Sequence, residues 1–335
     1  MSIQLSILDQ SPISQNSTPE EALKQTAELA RHAEAWGYKR FWVSEHHDAP
    51  TLAGSSPEIL ISHLGAVTNK IRLGSGGVML PHYAAYKVAE NFKLLEALYP
   101  GRIDVGVGRA PGGMPRASYA LNDGKPRDAS KFPEQVDDLL MYLHDALPEE
   151  HPYYGMKATP VTESAPPVWM LGSSVNSALL AAEKGLPYMY AKFINAEGDT
   201  RAARAYRERF KSHHGSRPRN SVAVFTICQE TEEQAEYAAS SQDLSLVLFA
   251  QGKPSDGTPH PEEARRYPYS KFEREAIEEN RKRMIVGTPQ QVADGLEELA
   301  AAHGAEEVML VTITHDFQDK LESFRLIAEE MKKRS

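Results

Sequence analysis

The stretch from Ile71 to Arg109 limits what this chain can become more than any other. It begins with a run of β-branched and small residues, Ile71 to Leu80, which Pro81 ends. A helical pattern follows, with Val88, Phe92 and Leu95 spaced four and three residues apart. Pro100-Gly101 stops that helix, and a second apolar run, Ile103 to Val107, leads into Gly108-Arg109. Strand, crossover helix and strand make a parallel βαβ unit, since parallel neighbours need a crossover between them. Such units hold ligands at the carboxyl ends of their strands. Gly76, Gly77, His82 and Arg109 stand at or just past those ends.

The alternation runs through the whole chain. Ile3 to Leu8 reads as the first strand, and Thr18-Pro19-Glu20-Glu21 is a capped helix start. The helix stops at Gly37, and Arg40 to Ser44 is a second strand that leads into Glu45-His46-His47. After the opening stretch come an aperiodic loop, Ala110 to Arg127, and a helix over Glu134 to Ala146. Val168–Leu171, Leu186–Ala191, Ser221–Cys228 and Glu307–Ile313 complete eight strands with helices between them. This count predicts an α/β protein, a (β/α)8 TIM barrel, with an open doubly wound sheet as the alternative. No linker or break in composition divides residues 1–335, so a single domain is expected. One departure follows strand seven, where residues 250–283 read as a lid-like insertion. Its Tyr267, Tyr269 and Phe272 are either lid residues over an apolar substrate, a dimer contact or a small satellite core.

Composition narrows the function. A net charge of −9 argues against nucleic acid or an anionic membrane surface as the partner. No apolar run approaches the ~20 residues that span a bilayer, and the first nine residues lack the pattern of a signal peptide. The one cysteine, Cys228, has no internal partner and lies in an apolar strand, which suits a core position and a reducing cytoplasm.

The strand ends carry the candidate chemistry. Gly172-Ser173-Ser174-Val175-Asn176-Ser177 joins strand five to a helix, and free N–H groups plus hydroxyls there suit a phosphate or serve as an ordinary N-cap. Arg109, at the neighbouring strand end, either grips the same anion or pairs with an acid. Alternation places Glu45 and His47 on one side and His46 on the other. Without further ligands at matching spacing, the histidines read as hydrogen-bonding or proton-shuttling groups rather than metal ligands. Gly76-Gly77 inside a strand implies a bulge, close passage of a flat ligand, or packing against an inward aromatic. Gly106-Val107-Gly108 fails the dinucleotide fingerprint, because Gly112 falls one place late.

Four segments in order, Ala33–His47, Leu73–Arg109, Pro167–Pro187 and Val286–Gly304, resemble the bacterial luciferase-like flavin monooxygenases. The resemblance implies a (β/α)8 barrel with an insertion near strand seven. It implies FMN as cofactor, with a non-prolyl cis peptide at Gly76-Gly77 beneath the flavin ring and Val78 beside it. Arg109 then matches the arginine that grips the FMN phosphate, and Ser173, Ser174, Asn176 and Ser177 match the phosphate loop. His46 and His47 match a histidine pair of which one assists catalysis. Gly172 stands where the luciferase α-subunit has a flavin-contacting glutamate, so the aldehyde substrate of luciferase does not transfer. Leu8, His82, Tyr267 and Tyr269 are the expected substrate contacts. The implied reaction is two-component oxygenation of a small organic substrate, through a C4a-peroxyflavin formed from O2 and reduced FMN supplied by a separate flavin reductase. A homodimer is expected, since the family commonly forms dimers. A non-catalytic flavin-binding protein and a deazaflavin (F420) hydride-transfer enzyme are the alternatives.

Overall fold

A computed structural model describes residues 3–213, 215–253 and 255–334. Its strands are β1 (Gln4–Asp9), β2 (Arg40–Val43), β3 (Arg72–Ser75), β4 (Val78–Met79), β5 (Ile103–Gly108), β6 (Val168–Gly172), β7 (Tyr188–Ala191), β8 (Asn220–Cys228), β9 (Met284–Gly287) and β10 (Glu307–Val311). The helices are α1 (Pro19–Trp36), α2 (Pro57–Val67), α3 (Ala85–Leu98), α4 (Pro115–Leu121), α5 (Phe132–Leu143), α6 (Val175–Lys184), α7 (Asp199–Arg209), α8 (Glu232–Ala250), α9 (Pro261–Arg266), α10 (Lys271–Arg281), α11 (Pro289–His303) and α12 (Phe317–Lys333). The parallel order β10-β1-β2-β3-β5-β6-β7-β8 closes on itself where Glu307 to Val311 of β10 pair with Ser221 to Phe225 of β8. The chain is a (β/α)8 TIM barrel.

Period-two alternation divides the strand residues between two cores. Leu8, Trp42, Met189, Ala223 and Met309 point inside the barrel. Their neighbours Ile7, Phe41, Tyr188, Val222 and Leu310 point outward against the helices. Each such buried apolar side chain contributes about 1.5–3 kcal/mol. The helices start where their caps say: Thr18 accepts from the Glu21 N–H, and Thr288 forms a reciprocal box with Gln291.

The amino-terminal end of the barrel is closed by charge. The Arg40 guanidinium is 2.6 Å from Asp104 and 2.6 Å from Glu307, and both acids are buried. Arg72 adds a second cation on Asp104 at 2.6 Å, and Ser6 donates to Glu307 at 2.5 Å. Removing one member of such a set leaves an uncompensated buried charge, at a cost of about 3–5 kcal/mol. The amino-terminal end is therefore a structural seal, and open space lies at the carboxyl end.

Several boundaries differ from the sequence reading. The run Ile71–Leu80 is not one strand: it breaks at Gly76-Gly77, whose peptide bond is cis, and resumes as β4 beside β5. The aperiodic loop contains α4, and the helix after it covers Phe132–Leu143 rather than Glu134–Ala146. Past strand seven, the charged tract resolves into α9 and α10 and then β9, a strand the sequence reading lacks. β9 pairs with the carboxyl half of β8, Phe225 to Cys228, beyond the reach of β7. Residues ahead of α9 are tied to the loop after β1, where the Thr258 N–H donates to the Ile13 carbonyl (2.8 Å) and the Gln15 N–H to the Thr258 carbonyl (3.0 Å). Among the described residues, no helix is long and apolar enough to cross a membrane.

Candidate active site

A cavity of about 420 Å³ opens at the carboxyl ends of the strands. Leu8, Trp42, Met189, Ala223 and Met309 make its floor, Gly76, Gly77 and Met79 one side, and Leu171, Phe193 and Ile194 another. Arg109 after β5, Ser173, Ser174 and Ser177 after the neighbouring β6, and Arg127, bonded to the Arg109 carbonyl, make the polar part of the lining.

That polar part has the chemistry of an anion site. Ser174 caps α6 by accepting from the Ser177 N–H at 3.3 Å. The carbonyls of the same turn are engaged elsewhere: Ser173 accepts from Tyr190 and Asn195, and Ser174 from Tyr188. The first-turn N–H groups of α6 have no intrahelical partners and carry the positive end of the helix dipole. Arg109, the residue after β5, is exposed, and no carboxylate pairs with it among the described residues. Arg127 donates to the Arg109 carbonyl at 2.7 Å. Burial, and then the like charge of Arg109, pull the Arg127 guanidinium below its usual pKa. Two guanidiniums with no acid between them, beside a helix N-terminus, suit a phosphate bidentately.

The glycine side is a close backbone crossing. A Cβ at Gly76 would sit 2.6 Å from Leu8 Cδ1, and one at Gly77 would sit 2.4 Å from Leu171 Cδ1 and 2.8 Å from the Gly106 carbonyl oxygen. Behind it, a Cβ at Gly106 would lie 2.0 Å from the Ser75 carbonyl oxygen. A flat cavity wall at this place requires residues without side chains. At Gly172 the missing side chain leaves room for Ser177, whose Oγ would be 2.1 Å from a Cβ there.

The histidines stand behind the wall rather than in it. Glu45 is buried, and its Oε1 accepts from His47 Nε2 and the Tyr83 hydroxyl, each at 2.8 Å, while Oε2 accepts from the Met79 N–H at 3.0 Å. His82 faces the Pro111 carbonyl through Nε2 (2.9 Å) and the Asn122 amide through Nδ1 (2.9 Å), and burial lowers its pKa. His46, past the end of β2, has its Nδ1 3.0 Å from the Ser44 hydroxyl. Burial pushes its pKa down to about 4, so the ring is neutral at pH 7.

Of the expected site residues, Gly76, Gly77, Arg109, Gly172, Ser173, Ser174, Ser177 and Leu8 line one cavity. Val78 turns into the helix-facing core, Asn176 is exposed on α6, and His46, His47 and His82 are absent from the lining. The rings of Tyr267 and Tyr269 pack at a tilt with centroids 4.9 Å apart, and Tyr267 meets Lys253 and Glu273 away from the lining. Arg127, Met79, Phe193 and the inward Trp42 and Met309 were missed. Strand alternation carried a signal for Trp42 and Met309. Cys228 is a core thiol, pushed up to about 12 by burial.

Residues 3–307 match the luciferase-like monooxygenase family. The chain belongs to that family. It is 56% identical to the protein YwcH of Bacillus subtilis (strain 168) over 98% of both chains. It is 37% identical to the N-acetyl-S-alkylcysteine monooxygenase of the same organism, again over 98% of each. The solved structure of apo-MsnO8 shares 37% identity and superposes with a TM-score of 0.90 over 98% of each chain. The cis peptide at Gly76-Gly77, which the luciferase-like resemblance implied, is present. At Gly172, where the sequence departs from the luciferase pattern, Ser177 occupies the space next to the strand end.

Proposed function

We propose that this chain is the oxygenating component of a two-component system, taking reduced FMN from a separate flavin reductase and using O2 to oxygenate a small organic substrate. One observation carries the reading: a single cavity joins a flat, glycine-sided apolar wall to a corner of two acid-free arginines and a helix N-terminus. Those parts fit a planar ring with a phosphate tail. Reduced FMN, when bound, supplies the electrons that activate O2. Arg109, Arg127 and the first turn of α6 would hold the phosphate, and Gly76 and Gly77 would leave room for the ring. The apolar floor excludes water, which protects reactive species from side reactions. Glu45 orients His47 and holds the Met79 backbone at the cavity side.

The substrate class follows from the wall and the relative. Met79, Met189 and Met309 line the cavity, and methionine gives an adaptable, polarizable surface. With the relative named for an N-acetyl-S-alkylcysteine, this favours a small thioether oxygenated at sulfur. Oxygen uptake with enzymatically supplied reduced FMN tests the reading, using N-acetyl-S-methylcysteine and simple alkyl sulfides. Uptake coupled to oxygenated product is expected. Reduced FMN that is bound but oxidised equally fast with and without every sulfide, giving no product, points to a flavin carrier instead. Tight binding of F420 in place of FMN points to the hydride-transfer reading.

A further inference from the structure

We propose that Arg283 is a specificity-determining residue that holds a carboxylate of the substrate at the rim of the cavity. The substrate is then an organic anion with an apolar reacting end. This inference rests on the cavity being the substrate site, as in the reading above.

β9 is the starting point. It begins at Met284, which pairs in register with Phe225 of β8 and packs against the inner barrel cluster. The insertion therefore returns to the barrel at its open end and delivers Arg283 immediately before the strand. The Arg283 guanidinium donates through Nη1 to the carbonyl of Ile194 at 3.1 Å, and through Nη2 to Asn280 Oδ1. Ile194 itself lines the cavity and is 54% exposed. Arg283 is thus half-buried beside the lining, with its plane fixed by two neutral acceptors.

Its charge has no counterpart. Arg116, Lys192, Arg281 and Lys282 sit near this end of the barrel or on the insertion, and each has a carboxylate at 2.5–2.8 Å. Among the described residues Arg283 has none, in a chain with 46 acids and 37 basic side chains. Arg109 and Arg127 share this property in the phosphate corner, and Lys253, Arg265 and Arg274 share it elsewhere on the insertion, but of these insertion residues Arg283 is the one that donates to a residue of the cavity lining. Within the apolar part of the cavity no charged group offers itself to an ionised substrate, so a carboxylate must remain at the rim. A guanidinium held by neutral acceptors retains donors in a plane that suits a carboxylate.

The test is equilibrium binding, read from quenching of tryptophan fluorescence, with and without FMN. The ligands are N-acetyl-S-methylcysteine and its uncharged carboxamide, against the wild type, Arg283→Gln and Arg283→Lys. A charge-assisted contact makes the wild type prefer the acid by about ten-fold or more. Arg283→Gln brings the acid to the level of the amide, and Arg283→Lys keeps part of the preference. FMN affinity stays unchanged in both variants. An acid bound no more tightly than the amide by the wild type, or a preference that survives Arg283→Gln, overturns the assignment. Acid binding through Arg283 without oxygen uptake leaves this inference standing and removes the oxygenase reading instead.

Discussion

At Glu45 a single carboxylate satisfies three donors, from His47, Tyr83 and the Met79 backbone. An amide in its place must turn its NH2 toward the backbone N–H, which cannot accept, or toward the His47–Tyr83 pair, where the imidazole nitrogen is the stronger acceptor. Glu45→Gln is therefore expected to move the His47 proton from Nε2 to Nδ1, visible in the imidazole 15N shifts, and to lower stability by about 1–3 kcal/mol. An unchanged tautomer and midpoint contradict this. His46 makes a pH prediction. Its pKa is about 4 folded and 6.5 in the reference state, so between those values the unfolded chain binds the extra proton. Stability falls as pH drops from 6.5 toward 4, by up to roughly 3 kcal/mol from this residue. Urea midpoints for the wild type should fall more steeply over that interval than those of His46→Gln, and parallel curves contradict the burial argument. Alternation alone placed Glu45 and His47 together. Their turning away from the cavity was not legible, because the chain leaves strand geometry after Val43. Arg127 was illegible for a related reason: it reaches the cavity through an aperiodic loop, 18 residues beyond the Arg109 carbonyl it binds.

The elements were readable wherever pattern and caps agreed. α1 and α11 follow their Thr-Pro starts, and β5 and β8 their β-branched runs. β9 escaped because four residues between a charged helix and a cap are too short to show a period. The break between β3 and β4 showed in the sequence only as paired glycines, since the closeness of β5 is a tertiary fact. That closeness gives a prediction. Gly106→Ala drives a methyl group against the Ser75 backbone, which cannot swing aside as a side chain can. The variant should lose about 3 kcal/mol or more in urea unfolding, whereas Gly101→Ala, which meets no atom within 4 Å, loses only what its positive φ costs. Equal losses at the two positions contradict the crossing as the reason for a bare backbone.

At the scale of the molecule, the barrel separates stability from chemistry by its two ends. Buried ion pairs of Arg40 with Asp104 and Glu307 seal the amino-terminal end, and the carboxyl end keeps a cavity lined from several strands. This division explains why the fold could be read by counting strands while the site could be read only in part. Strand ends are marked in the sequence, but the loops that complete them are not. It also fixes the most direct test of the account, which is whether the corner formed by Arg109, Arg127 and α6 is a phosphate site. Binding of FMN and of riboflavin, which differ by that phosphate alone, should be compared by titration in the wild type and in Arg109→Gln and Arg127→Gln. The account predicts that the wild type prefers FMN by at least about ten-fold, and that each variant loses most of this preference while binding riboflavin as before. Equal affinity for FMN and riboflavin in the wild type would contradict it.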